Sequence, residues 1–356
     1  MYQPHELKST KPLTWSTGLG VDVWQMFCEC IAGNLSGVKV LLARDPSLIR
    51  CHYGYRTPLY FAVKENRLDI AQLLLEQSAD PLAMEFGDSF VLQANDRGYD
   101  SMAAMLTEHM AKKYAVSPLG DRSAELIRAG NDDGLLDLLR EHPEALNQGD
   151  RRSNQPIHWA VMTRQIKLID LLHKLGADLN ARRQDGARPI HLFNGDYFYR
   201  GWRDVPESCS TSPTEVLDYL LMLGADCDLN TACHRQDRDR VLAILKSDPA
   251  AANRVSDCVT YYVGSGSPLQ NAATTGNVEI IQILLDHGAD PNLQEEGIAP
   301  DGHALYTAVN KRHYEAAKLL LENGACSNPE VESSADALGR AIANADQPME
   351  IGRAHV

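Results

Sequence analysis

The sequence predicts an all-α solenoid of stacked helix pairs that repeat every 33 residues or so. Three observations carry this reading. A leucine-rich phrase closing on a small turn recurs as AQLLLEQSADP (71–81), IDLLHKLGADLN (169–180), LDYLLMLGADCDLN (217–230), IQILLDHGADPN (281–292) and AKLLLENGACSN (317–328). A second phrase precedes each: TPLYFAV from 57, QPIHWAV from 155, RPIHLF from 188, SPLQNAA from 267 and HALYTAV from 303. Pro156 and Pro189 lie 33 residues apart, and Pro58 and Pro156 lie 98 apart, three repeats less one residue. A fixed period of this size is the signature of a repeat architecture, so the 356 residues are one repetitive domain rather than the two or three their length suggests.

Residues 1–21 lack the repeat, contain Pro4, Pro12, Gly18 and Gly20, and read as an extended lead-in over the first pair. In each unit Thr57 or Ser267 supplies an N-cap, with Pro58, Pro156, Pro189 or Pro268 at the first helical position, where a missing N–H costs nothing. Gly176, Gly224, Gly288 and Gly324 stop the second helices. Polar, glycine-containing stretches such as ARRQDGAR (181–188) suit tight hairpins. Pro189 to Pro268 is 79 residues, 13 beyond two repeats. That surplus maps between two helices, since Pro189 to Thr214 spans 25 residues where Pro156 to Ile166 spans 10. An insert of about 15 residues is expected at 194–212. The Leu73, Leu74 and Leu75 triplet and its equivalents are core.

The unit at 267–292, SPLQNAATTGNVEIIQILLDHGADPN, resembles the ankyrin repeat, whose pattern is TPLHxAAxxGHxxIVxLLLxxGADxN. With that pattern as template, degenerate units emerge at 22–54, 89–118, 120–152 and 230–259, three of them with Pro46, Pro143 or Pro249 in place of the glycine turn. Residues 22–334, less the insert, then hold nine repeats. The resemblance implies an ankyrin-repeat α-solenoid of about nine stacked helix pairs with β-hairpin fingers projecting at right angles. Ala335–Ala343 opens a tenth repeat, so 335–349 is a partial unit. The last residues, EIGRAHV (350–356), match a frame of a common sequencing-adapter oligonucleotide, and the expectation is a non-native tail on a chain that naturally continues.

Composition narrows the function classes. Lys and Arg total 34 against 48 Asp and Glu, a net charge of −14, which repels phosphate backbones and anionic headgroups. Nucleic acid and membrane are poor partners. No apolar run reaches the length of a membrane span, and the N-terminus carries no signal-peptide core, which fits a cytoplasmic protein. Eight cysteines without paired CxxC motifs suit neither a disulfide scaffold nor structural zinc, and Cys28 and Cys30 read as small buried thiols.

Catalytic motifs are absent: there is no GxxxxGK(S/T), HExxH or GxSxG. The resemblance places His158 and His191 at a position whose imidazole bonds the preceding hairpin and N-cap; His287 and His313 are ordinary repeat positions. GSGS (264–267) precedes a helix and reads as a flexible finger rather than an anion site. Asp132 with Asp133 and Glu295 with Glu296 read as solvated turn pairs. No cofactor, metal or catalytic residue is expected.

Recognition of a protein is what remains. In a solenoid the finger tips, the open edge of each first helix and any insert escape packing, and interface anchors are enriched in Tyr, Trp and Arg. Three places answer. The insert with its flank carries Phe193, Tyr197, Phe198, Tyr199 and Trp202, interleaved with Arg200 and Arg203; these rings either meet a partner or fold back over the widened gap. Neighbouring fingers carry Arg151 with Arg152 and Arg182 with Arg183, which suit an acidic segment unless they merely balance nearby acids. Two fingers carry tyrosine pairs, Tyr53 with Tyr55 and Tyr261 with Tyr262. The expected function is a monomeric, non-catalytic scaffold binding one or more proteins through fingers, concave helix face and insert. The alternatives are the targeting arm of a larger enzyme, or an inhibitor or immunity protein that blocks one enzyme.

Overall fold

The computed structural model describes residues 2–13, 15–54, 56–81, 89–183, 185–195, 205–258, 263–295, 302–329, 331 and 337–343. Its helices are α1 (Gly20–Ala32), α2 (Leu35–Arg44), α3 (Pro58–Lys64), α4 (Leu68–Glu76), α5 (Phe90–Asp96), α6 (Asp100–Tyr114), α7 (Pro118–Arg128), α8 (Asp132–Glu141), α9 (Pro156–Met162), α10 (Ile166–Lys174), α11 (Pro213–Met222), α12 (Leu229–His234), α13 (Arg238–Ser247), α14 (Pro268–Thr275), α15 (Val278–Asp286), α16 (Ala304–Asn310), α17 (Tyr314–Glu322) and α18 (Ala337–Ala343). First and second helices alternate from α1 to α10 and again from α12 to α17, α11 is a second helix whose first helix is only a short turn, and α18 stands where a tenth first helix belongs.

Local chemistry starts and stops each helix. The Thr57, Ser117 and Ser267 hydroxyls accept the N–H three residues on, leaving Pro58, Pro118 and Pro268 at the first turn. Asn34, Asn131 and Asn277 cap second helices the same way. Gly288 ends α15 at φ 80°, a left-handed conformation that costs glycine nothing. Where Pro46, Pro143 and Pro249 replace the glycine turn, a single turn of 3-10 helix ends the unit instead.

The sixth pair departs from expectation. RPIHLF forms only the turn Pro189–His191, because Gly195, at φ 88°, donates back to the Leu192 carbonyl (2.8 Å) and turns the chain off the helix axis. The insert therefore truncates a first helix. Its partner α11 restarts on a reciprocal cap, in which the Ser212 N–H donates to Glu215 Oε2 (2.7 Å) and the Glu215 N–H donates to Ser212 Oγ (3.2 Å). Those bonds hold the Glu215 carboxyl below its usual range. The fingers also differ: among the described residues they form turns and isolated bridges, such as Tyr53 with Arg56, rather than strand ladders.

The residues divide into two compact units, Met1–Glu108 with Arg238–Arg254 and Ser267–Val356, and His109–Asp237 with Val255–Gly266. In the first, a core running from Leu7 to Leu106 includes fully buried Ile70 and Leu74, each stabilising by about 1.5–3 kcal/mol. The lead-in seals the start of this core. Leu7 and Leu13 are buried in it, Thr17 Oγ1 donates to the Ser47 carbonyl (2.7 Å), and the His52 N–H donates to Ser16 Oγ (2.8 Å). Further along, α16 packs against α14, α17 and α18. In the second unit the core gathers around Trp159, 1% exposed, and extends to Cys258.

Polar side chains repeat along with the apolar ones. Asn180, Asn253 and Asn292 each accept a backbone N–H from the turn of the next repeat, at Asp226 (2.9 Å), Asp290 (2.7 Å) and Cys326 (2.6 Å). Arg67, Gln165 and His313, which precede second helices, reach the carbonyls of Ile31, Ile127 and Thr274 at the end of the previous first helix. Helix ends that would leave orphan carbonyls are thus satisfied by the neighbouring repeat. At these junctions one repeat completes the one before it.

Candidate functional site

The second unit's fingers are built around a buried carboxylate. The Asp150 N–H donates to the Asn154 carbonyl (2.9 Å), closing a tight turn. Asp150 Oδ1 accepts the N–H groups of Arg152 (2.8 Å) and Asn154 (2.9 Å), while Oδ2 accepts Trp159 Nε1–H (2.9 Å). Burial pushes the Asp150 carboxyl above its usual range, opposed by these donors. Trp159 carries the Arg128 guanidinium over its ring at 5.1 Å. The finger is therefore fastened to α9.

This network corrects the expected basic run. Arg152 and Arg183 are only 6% and 3% exposed. The Arg183 guanidinium donates to Asn154 Oδ1 (2.7 Å) and pairs with Asp185, tying finger 181–188 to finger 150–154. A guanidinium taken out of water must keep its donors satisfied, and Asp185 and Asn154 do so internally. Arg151 and Arg182 remain exposed, and Arg182 pairs with Asp257, 75 residues away. The connection between α11 and α12 runs from Gly224 to Asp228 with no hairpin, and finger 255–258 closes directly on finger 181–187. A Cβ at Gly186 would sit 2.2 Å from the Asp257 carbonyl, so glycine permits that approach.

Of the other nominated residues, Tyr53 is half-buried, with its ring 5.6 Å from Trp15. Tyr55, Tyr197, Tyr199, Trp202, Tyr261 and Tyr262 lie outside the described residues. Phe193, at the entry to the insert, is core at 6% exposed, which is the fold-back alternative for that one ring.

The titratable groups brace the repeats. His158 Nδ1 accepts the Gln155 N–H (3.1 Å), so Nε2 carries the proton and donates to the Ala181 carbonyl (3.0 Å). The N-cap bond is as the family implies, but the second bond reaches the following hairpin, not the preceding one. Burial, with Arg183 nearby, lowers the His158 pKa to about 3; burial and Arg188 lower that of His191 to about 4. Glu295 corrects another expectation. It is 3% exposed, accepts the Ser267 N–H (3.1 Å) and faces His303 Nδ1 at 3.4 Å, so it is an internal brace. Asp132 and Asp133 are exposed in the first turn of α8, where the helix dipole favours them. Cys30 is buried, its thiol pushed up to about 12, whereas Cys28 is half-buried. Among the described residues no group of three His, Cys, Asp or Glu is arranged to hold a metal. No described helix is long and apolar enough to cross a membrane.

Helix pairs joined by asparagine bonds, with fingers fastened to one another by buried side chains, define a helical repeat scaffold. Comparison with known proteins agrees. A family model of ankyrin repeats in three copies matches residues 229–331, and the single-repeat model matches 55–85 and 154–184. A putative ankyrin repeat protein of fowlpox virus is 24% identical over 258 residues, 71% of this chain and 42% of the relative. The ankyrin repeat protein nuc-2 of Neurospora crassa is 24% identical over 317 residues, 82% of this chain and 26% of its own length. Human ankyrin repeat and SOCS box protein 6 is 25% identical over 284 residues, 76% of this chain and 59% of the relative. The chain spans between about a quarter and three fifths of the length of these relatives. It belongs to the ankyrin repeat proteins.

Proposed function

We propose that this chain is a non-catalytic scaffold that binds a partner protein through its hairpin fingers, its concave helix face and the insert at 194–212. The observation that carries the reading is how packing divides the side chains. The polar groups His158, Asp150 and Arg183 are consumed by bonds within the stack, whereas Arg151 and Arg182 on the same fingers stay exposed. Arg151 and Arg182 stay in the proposed contact set; Arg152 and Arg183 leave it because they are buried. Tyr53, Tyr55, Tyr197, Tyr199, Trp202, Tyr261 and Tyr262 remain proposed contacts on the strength of their chemistry. The proposal includes a monomer in the cytoplasm, with nucleic acid disfavoured by the net charge of −14.

The test is affinity capture with the intact chain and with one lacking 195–211. A stoichiometric partner held by the intact chain and lost from the deletion supports the reading. A deletion that melts at the same temperature and captures the same partner equally removes the insert from the interface, and a small-molecule turnover activity in the purified chain overturns the non-catalytic assignment.

A further inference from the structure

We propose that the first unit carries a docking shelf formed by Trp15, Tyr53, Arg56 and Tyr60, and that it takes a partner segment bearing one carboxylate beside an apolar side chain. This rests on the protein-binding reading above and joins the nominated Tyr53 to Trp15, Arg56 and Tyr60, which the sequence pattern did not nominate. The lead-in brings Trp15 onto the first finger, with ring centroids 5.6 Å from Tyr53 and 6.0 Å from His52. Two backbone bonds between Tyr53 and Arg56 (3.1 and 3.0 Å) close that finger. They bring Arg56 to the start of α3, where its guanidinium lies 5.8 Å from the Tyr60 ring centroid. Tyr60 is anchored in turn by Phe61 at 5.2 Å and by nearly buried Phe90 at 6.5 Å.

Charge decides the occupant. Arg56 is exposed, and among the described residues no carboxylate lies within ion-pair distance of it, although the chain carries a net charge of −14. The nominated Arg182, by contrast, already has Asp257. A guanidinium stacked on a ring is held in one orientation while its N–H fork stays available, so a carboxylate is received bidentately with little further ordering. The flanking half-exposed rings offer apolar area for a neighbouring Leu, Ile, Phe or Pro. A single carboxylate is the match, because a long acidic tract meets repulsion from the whole chain.

The probe is a displayed library of random 12-residue peptides selected on the full-length chain, with affinities of the selected peptides then measured on wild type, Arg56→Gln and Arg182→Gln. The expected result is enrichment of peptides pairing one Asp or Glu with an adjacent apolar residue. Their affinity should fall about tenfold in Arg56→Gln, the scale of one lost charged contact, weaken with added salt, and stay unchanged in Arg182→Gln. Among the described residues Arg56 makes no ion pair, so the variant should melt with wild type, and Tyr60→Phe serves as a second, ring-retaining control that should bind nearly as wild type. Selected peptides without acidic residues, or equal binding to Arg56→Gln, overturn the proposal. Peptides that depend on Arg182 alone overturn this shelf while leaving the protein-binding reading intact.

Discussion

Two buried histidines should make the stack acid-labile well above the pH at which carboxylates titrate. An unfolded imidazole protonates near pH 6.5, whereas His158 in the folded chain does so near about 3 and His191 near about 4. Between those values the unfolded state binds more protons, so stability is fully present above pH 6.5 and is lost as the pH falls. Below 6.5 each histidine contributes a loss of ~1.4 kcal/mol per pH unit, or ~2 kcal/mol each at pH 5. The structural origin is specific: Nδ1 of His158 is occupied by the Gln155 N–H, and a cationic ring would face Arg183 in a fully buried site. Urea unfolding at pH 7.5 and pH 5.0 should show a midpoint falling sharply at the lower value, and ¹⁵N-detected titration should find the His158 ring neutral, with Nε2 protonated, throughout that range. A His158 ring that protonates above pH 5.5 in the folded chain refutes the reasoning.

Other perturbations follow from single residues. Gly288→Val should destabilise by about 1–3 kcal/mol by thermal melting; a Cβ there meets no atom within 4 Å, so all of the loss is left-handed backbone strain at φ 80°. Asn292→Ala removes the bonds to Cys326 N–H (2.6 Å) and the Gly324 carbonyl (2.8 Å) and should destabilise by about 1–3 kcal/mol, loosening α16 and α17 first in hydrogen exchange. Arg182→Gln breaks only a half-exposed pair and should change stability by under about 1 kcal/mol in denaturant titration. Trp202→Ala should leave the melting temperature nearly unchanged while weakening partner capture; a large loss of stability would place that ring in the core.

The repeat itself was legible because ankyrin stacking uses the same residues at the same spacing. Leucine triplets, prolines at first turns and glycines at second-helix ends are local signals: α3 and α14 begin on Pro58 and Pro268, and α15 stops before Gly288. The exposed arginines were not legible, because RR at 151–152 and at 182–183 reads identically whether the side chain faces water or Asn154. Glu295 was misread for the same reason: its partner, the Ser267 N–H, lies 28 residues away. Of the shelf around Arg56 only Tyr53 was legible, since Trp15 comes from the lead-in and Tyr60 from a first helix.

By itself, then, the sequence determined the class: period, caps, stops and the acidic balance are set by residues acting on their near neighbours, and they suffice to name a repeat protein with its insert. Only the tertiary structure decided which polar groups are spent within the stack and which are left for a partner. It buried Arg152, Arg183 and Glu295, paired Arg182 with Asp257, and set Arg56 over the Tyr60 ring with no carboxylate in reach among the described residues. Whether a charge is satisfied internally depends on groups 20 to 80 residues away that the fold brings within 3 Å or so, and no local pattern encodes that distance.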